Sequence, residues 1–377
     1  MDRQRDSREN GMAPAVGKVD VVGGEGHSGE CTLPSVRGVP TGDPGDGRST
    51  MSEQTVAVAG ATGFVGRHVV GELLRRGHAV RALVRTPAKA SEAFAGLEHR
   101  DRLTLVQTET ISADSASRLV EGASACVNCI GIIRERAGER FEQVHVRAVE
   151  MLASACTASG TDRFVHISAL AAHPDGRAEY QKTKYAGEQA LRRSGLEWTI
   201  LRPGLIVGSG GELTEMMVTW ARGKAQPFFF MPYFTRRADG QWSYIPAEST
   251  DPIVAPVTAE DVARAACDSL DNDETIGEIY NVVGPEEVTW PELLTFVRDS
   301  TRGAKPTIRP GGIPATAAYA TAKIAGAVGM EQMLPFDAGM AAMSSEDSTA
   351  TLDKFEAHFG FTPDDFHPAL QRAVAEY

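Results

Sequence analysis

The chain has 377 residues, a formal charge of -12 at pH 7, and 42% hydrophobic and 23% charged residues. That composition fits a globular protein with one large domain and a smaller appendage, and its acidic balance excludes nucleic acid as a main partner, because neutralising phosphates needs a basic face. Five cysteines without framework spacing point to a reducing compartment, so the cytoplasm is the expected location, and no run approaches the ~20 apolar residues of a transmembrane segment.

Residues 1–52 are rich in Gly, Pro, Asp and Ser, as in Val39-Pro40-Thr41-Gly42-Asp43-Pro44-Gly45. They cannot bury a core and are expected to be a disordered tail without a signal peptide. Met51 directly precedes the first patterned segment and offers an alternative start. From Thr55 short β-branched runs alternate with amphipathic stretches, which is the pattern of a parallel sheet covered by helices. The expected strands are 55–59, 79–84, 103–106, 125–130, 163–167 and 198–202, with a helix over 65–76 stopped by Gly77. The fold class is therefore α/β, a doubly wound Rossmann sheet over 53–208. Residues 209–377 read as a smaller substrate-side α/β region, some of whose elements can rejoin the sheet. Within it a helix is expected near 258–270, a strand over 278–283, a helix from Trp290, and a peripheral helix over Pro314 to Met330. The aromatic run Pro227-Phe228-Phe229-Phe230-Met231-Pro232-Tyr233-Phe234 suits either an apolar substrate pocket or membrane or partner contact, or else core or lid packing.

The first strand runs into Gly60-Ala61-Thr62-Gly63-Phe64-Val65-Gly66 and then a helix. Each glycine has a task in gripping a pyrophosphate. Gly60 turns the chain sharply out of the strand, Gly63 admits close backbone approach, and Gly66 lets the helix pack on the sheet. The helix start adds free N–H groups and a partial positive charge. This places a nicotinamide dinucleotide here. The second strand ends in Arg85, with Lys89 four residues on and no acid in the local sequence. A basic residue at that point accommodates a ribose 2′-phosphate, so NADP(H) is favoured over NAD(H), a surface arginine at a strand end being the alternative.

Tyr180-Gln181-Lys182-Thr183-Lys184 sets Tyr180 and Lys184 one helical turn apart on one face. A phenol is a poor acid or base near neutral pH unless an ammonium favours its phenolate, and Lys184 can supply that charge. Cys126 and Cys129 form a CxxC, but inside an apolar run, where packing is the plainer role. His145, His166 and His173 lack the paired spacing of a metal site, and no metal is expected.

The glycine loop followed by the Tyr/Lys pair resembles the short-chain dehydrogenase/reductase superfamily, its extended, atypical branch above all, over most of 55–300. More narrowly, Val127-Asn128-Cys129-Ile130-Gly131, Val144-His145-Val146, Phe164-Val165-His166-Ile167-Ser168-Ala169 and Leu201-Arg202-Pro203-Gly204 resemble the group that holds the accessory NAD(P)H-binding subunit of respiratory complex I. Its bacterial relatives are described as NAD-dependent epimerase/dehydratase-like. The resemblance implies that Thr62, Phe64 and Val65 contact the pyrophosphate and that Glu109 and Thr110 lie beside adenine. It implies that Ile130 and Gly131 pass under the cofactor, that Ser168 lies at the cofactor edge, and that Pro203, Gly204 and Leu205 flank the nicotinamide. Tyr180 and Lys184 would be catalytic and touch the cofactor. Two departures stand out. Ser168-Ala169-Leu170-Ala171-Ala172 carries no hydroxyl just past Ser168, where active members place one to polarise a carbonyl, and His145 occupies the place of an asparagine. Loss of one such donor lowers rates by about 10²–10³.

Two functions follow as expectations, with nucleotide-sugar epimerisation a weaker third that the aromatic, Met-containing run disfavours. One is an NADP(H)-dependent oxidoreductase acting on a small, apolar-leaning carbonyl substrate. The other is a non-catalytic NADP(H)-binding protein, structural or redox-reporting, associated peripherally with a membrane or a respiratory complex.

Overall fold

The computed structural model describes residues 54–136, 138–242, 248–327, 334 and 336–377. The expected tail over 1–52 lies outside the described residues. In chain order the first half comprises β1 (Thr55–Ala59), α1 (Phe64–Arg75), β2 (Ala79–Val84), α2 (Pro87–Ala93), β3 (Leu103–Gln107), α3 (Ala113–Val120), β4 (Ala125–Asn128), α4 (Ala148–Ser159), β5 (Arg163–Ile167), α5 (Glu179–Arg192) and β6 (Glu197–Pro203). The second half comprises β7 (Ile206–Val207), α6 (Glu212–Ala221), β8 (Phe230–Arg237), β9 (Ser249–Thr250), β10 (Ile253–Val254), β11 (Val257–Thr258), α7 (Ala259–Asp268), β12 (Glu278–Val282), β13 (Val288–Thr289), α8 (Trp290–Ser300), β14 (Arg309–Pro314), α9 (Ala315–Ala327), α10 (Ala338–Met343), α11 (Asp353–Phe359) and α12 (Phe366–Ala375).

Seven strands pair in parallel in the order β12-β6-β5-β4-β1-β2-β3. This is the doubly wound arrangement, with its switch point between β1 and β4, where the connections leave in opposite directions and open a crevice at the carboxyl ends. The strands read as unbroken apolar runs because both faces are buried. In β1, Val56 and Val58 enter the core shared with α1 and α7, whereas Ala57 and Ala59 enter the core shared with α3 and α4. A third core gathers Met217, Val218, Leu294, Phe366 and Leu370 from α6, α8 and α12. Beside it β14, β8 and β9 form a small sheet.

Three expected elements differ in a way that bears on the site. The fourth strand stops at Asn128 rather than residue 130, because the Asn128 side chain accepts the Ile130 amide at 3.0 Å and bends the chain out of the sheet. The strand expected over 278–283 does not stay in the substrate-side region but becomes the outermost strand of the main sheet, pairing with β6. The aromatic run becomes β8 from Phe230 onward. Ahead of α4 the chain forms a π-helical turn over Glu142–Arg147 that carries His145. No helix among the described residues is long and apolar enough to cross a membrane.

Candidate functional site

The crevice at the switch point is built first from what β1 and α1 leave open. Gly60 has φ +75°, and a Cβ there would stand 2.7 Å from the Cys129 carbonyl carbon. Only glycine lets the β1 exit pass the β4 exit so closely. A Cβ on Gly66 would overlap the Gly60 carbonyl oxygen, so the first turn of α1 closes tightly on the loop. Gly63 caps α1 without any side-chain hydrogen bond, and no acid occupies the first turn. The amides of Phe64, Val65 and Gly66 therefore lack intrahelical acceptors. Together with the helix dipole they fit a pyrophosphate without competition from the chain's own groups. Thr62 and Gly63 are exposed at the loop tip. The Phe64 ring points away from this task. It stacks edge-on to His68 at 5.9 Å and under the Arg67 guanidinium, which donates to the Ser209 carbonyl at 2.5 Å, so α1 is locked to the loop before α6.

At the β2 exit Arg85 is exposed and forms an ion pair with Glu139 from the loop after β4. The local sequence shows no acid near Arg85, but the fold supplies one across 54 positions. This corrects the expectation of an uncontested basic residue. Lys89, exposed in α2, has no charge partner among the described residues. Glu109 and Thr110 are exposed after β3 and line an open depression with Gln107, Ser112 and Arg118.

The opposite half of the crevice comes from β4, β5, α5 and β6. Ile130 and Gly131 follow the Asn128 bend, and a Cβ on Gly131 would lie 3.1 Å from the Lys184 ammonium. Lys184 is buried and donates to the Ile167 carbonyl at 3.1 Å. Burial lowers it to about 8, against the pull of Glu188 and Cys129. Tyr180 is half-buried, edge-on to the rings of His145 at 5.4 Å and Phe141 at 6.0 Å. Its hydroxyl has no hydrogen-bond partner among the described residues. Burial pushes this phenol up to about 12. Lys184 does not lower it, contrary to the charge coupling expected from the spacing.

The two departures now have definite places. Ser168 donates to Glu188 at 2.5 Å, and fully buried Glu188 is gripped by Arg202 at 2.8 and 2.5 Å. The serine is therefore committed to a structural triad. The next residues, Ala169 and Leu170, carry no hydroxyl, and Leu170 packs near Gly204. His145 contacts the Thr183 hydroxyl through Nδ1 at 3.0 Å and the Ile132 amide through Nε2 at 3.2 Å. The Thr183 proton goes to the Glu179 carbonyl at 2.7 Å. Nε2 also stands 3.1 Å from the Ile132 carbonyl, so the ring's tautomer sets whether it accepts the Ile132 amide or donates to that carbonyl. Burial, then Lys184, lower His145 to about 2, so it is neutral and joins the β4 exit to α5. His166 pairs with Asn128 at 3.2 Å below the same exit, and burial takes it to about 3. Pro203 accepts the Leu170 amide at 2.8 Å, Gly204 donates to Val282 at 2.9 Å, and Leu205 accepts from Val257 at 2.9 Å, so the β6 exit is pinned on both sides.

Sequence reasoning missed Glu139, Glu188 and Gly187. A Cβ on Gly187 would overlap the His145 carbonyl, so this glycine lets α5 seat against the π-helical turn. None sits in a motif. The aromatic run does not form one apolar pocket: Phe228 and Phe229 are exposed, Phe234 is buried against Phe336, and Tyr233 donates to Asp251 at 2.8 Å. The cavity nearby, of about 260 Å³, has Arg177, Arg236, Trp242 and Glu346 among its walls.

Residues 60–222 match a family described as NAD(P)H-binding. The chain is 24% identical over 256 residues to NADH dehydrogenase (ubiquinone) 1 alpha subcomplex subunit 9, mitochondrial, of Dictyostelium discoideum, covering 68% of this chain and 66% of that one. A ceramide reductase of Caulobacter vibrioides is 33% identical over 162 residues, 43% of this chain and 49% of its own. The first three curated relatives are covered over only 66%, 61% and 62% of their length. A solved nucleoside-diphosphate-sugar epimerase of Staphylococcus aureus shares the fold, with a TM-score of 0.61 at 16% identity over 84% of this chain and 99% of that one. Residues 60–222 are thus an NAD(P)H-binding domain, and the chain is homologous to the alpha subcomplex subunit 9 proteins of NADH dehydrogenase (ubiquinone).

Proposed function

We propose that the chain is an NADP(H)-dependent oxidoreductase that reduces a carbonyl compound, with Tyr180 as proton donor and Lys184 as its charge partner. The observation that carries this reading is the Tyr180 hydroxyl, unpartnered among the described residues and one helical turn from a buried ammonium at the mouth of the dinucleotide crevice. When bound, NADP(H) supplies the hydride. The Tyr180 hydroxyl gives its proton to the carbonyl oxygen as the C=O electron pair moves onto that oxygen. Lys184 stabilises the phenolate left behind, and solvent returns the proton. At about 12 the resting phenol is fully protonated near neutrality, which suits proton donation and hence reduction. Phe64, Val65 and Gly66 hold the pyrophosphate through their amides. Arg85 takes the 2′-phosphate by exchanging Glu139 for it, with Lys89 as a second cation. Thr62, Glu109, Thr110, Ile130, Gly131, Ser168, Pro203, Gly204 and Leu205 keep the cofactor-lining places described above. The cytoplasm is the proposed location.

A second reading is favoured by Ser168, whose hydroxyl is spent on Glu188. In it the chain binds NADP(H) without turnover, as a structural or redox-reporting ligand within a respiratory complex, in line with its relatives among NADH dehydrogenase subunits. Purified protein titrated with NADPH and NADH, then assayed for NADPH oxidation against ketones, quinones and nucleotide sugars, separates the two. Turnover that disappears in Tyr180→Phe supports the enzyme. Tight NADPH binding with no turnover on any substrate class supports the second reading.

A further inference from the structure

We propose that the tip formed by the turns over 222–229 and 302–309 docks on an anionic lipid bilayer, inserting Phe228 and Phe229 beneath a ring of basic side chains. Phe228 and Phe229 are 54% and 74% exposed. They are adjacent, and Phe229 leans on Phe230 with ring centroids 5.1 Å apart. Around them the fold gathers cations. Lys224, Arg302, Lys305 and Arg309 are all exposed, and none of their charged groups has a partner among the described residues.

The arrangement is fixed rather than fortuitous. Strands β8 and β14 run parallel with Phe230 opposite Arg309, so both preceding turns emerge at one end. The Lys305 amide donates to the Ala221 carbonyl at 2.9 Å, and the Lys305 ammonium stands 3.1 Å from where a Gly223 Cβ would lie. Arg222 ties the two turns by donating to the Arg302 carbonyl at 3.1 Å, and also to the Tyr377 oxygen at 2.7 Å. Neither 221–231 nor 301–314 contains an Asp or Glu. Of the acids nearby, Asp299 pairs with Arg298 at 2.8 Å, and Glu215 and Glu376 lie beside Tyr377 on the flank that Arg222 holds.

In a chain of formal charge -12, such an acid-free, unpaired basic end needs a negative counterpart. A bilayer offers one with the matching second property, an apolar interior directly behind the phosphates. Apolar side chains enter the headgroup and acyl boundary while Lys and Arg remain at the charged surface. A single-stranded nucleic acid could instead stack its bases on the two rings, and the oligonucleotide arm of the test separates that occupant from the bilayer.

The test is flotation of the full chain, with NADPH present, on vesicles of phosphatidylcholine and phosphatidylglycerol and on vesicles of phosphatidylcholine alone. Flotation is expected on the mixed vesicles and is weakened by added salt. Neutralisation as Lys224→Gln, Lys305→Gln and Arg309→Gln lowers partitioning roughly fivefold per residue. Phe228→Ser and Phe229→Ser lower it about tenfold each. Leu105→Ser, exposed on β3 far along the chain, leaves it unchanged. Unaltered melting temperature and circular dichroism show that each variant folds, whether or not it binds NADPH, so this outcome is independent of the cofactor reading. Absence of flotation by folded wild type, equal flotation of the variants, or tight binding to a single-stranded oligonucleotide without vesicle binding overturns the proposal.

Discussion

Lys184 is the residue on which chemistry and pH meet. Burial lowers it to about 8, below the value it has in the unfolded chain. Between about 8 and the ordinary lysine range the unfolded chain therefore binds more protons, and this residue's contribution to stability rises with pH across that window. The ammonium needed beside Tyr180 disappears over the same range. NADPH-dependent turnover is thus expected to fall above about pH 8, while the melting temperature shows no parallel loss from this group. Lys184→Arg should carry turnover to higher pH and Lys184→Met should abolish it, as read from kcat/KM across a pH series. The histidines act at the other end of the scale. His145 and His166, lowered to about 2 and about 3, stay neutral when folded, whereas unfolded histidine protonates near ~6.5. Stability should therefore drop as pH falls below that point, and His166→Asn should flatten part of the drop in melting curves. Glu188, fully buried between Ser168 and Arg202, is the costliest acid to remove. Glu188→Ala should destabilise by about 3–5 kcal/mol in denaturant unfolding, because it strands a charged partner.

Among the elements, β1 was readable to the residue and α1 to within one position at each end, because their constraints are local. A five-residue apolar strand, three glycines and an amphipathic helix each declare their conformation within a few positions. Strands β2 and β5 were readable to the residue for the same reason. The end of β4 was not, since what stops it is Asn128 turning its side chain onto Ile130, with His166 from the next strand supporting it. Nor was the return of β12 to the main sheet, which rests on pairing with a strand about eighty residues earlier. In the site, Tyr180, Lys184 and the glycine loop were legible from spacing. Glu139 and Glu188 were not, because an ion pair across 54 positions, or a buried triad drawn from a strand, a helix and the next strand, leaves no periodic trace. The two kinds of glycine test this contrast. Gly66→Ala and Gly187→Ala each push a Cβ into a backbone carbonyl, and each should cost about 1–3 kcal/mol by overpacking. Only Gly66→Ala should also remove NADPH binding measured by calorimetry.

At the scale of the whole molecule, one parallel sheet brings the exits of β1, β2, β4, β5 and β6 to a single edge. In the proposed reading the phosphate, ribose and nicotinamide ends of a dinucleotide thereby meet residues more than a hundred positions apart. The same architecture explains why a secure cofactor crevice does not by itself decide the chemistry. In the proposed reading the pyrophosphate grip follows β1 while the proton donor and its charge partner stand on α5, so Leu170 after β5 and His145 on the turn ahead of α4 can depart from the usual pattern without touching the glycine loop. The outcome rests on Arg85 at one end and Tyr180 at the other. The direct test is a calorimetric titration of wild type, Arg85→Asp and Tyr180→Phe with NADPH and NADH, followed by NADPH oxidation against a carbonyl panel. NADPH should bind wild type more tightly than NADH, Arg85→Asp should reverse that order, and Tyr180→Phe should bind NADPH normally but lose turnover. An NADPH-to-NADH ratio unchanged by Arg85→Asp, or turnover that survives Tyr180→Phe, would contradict the account.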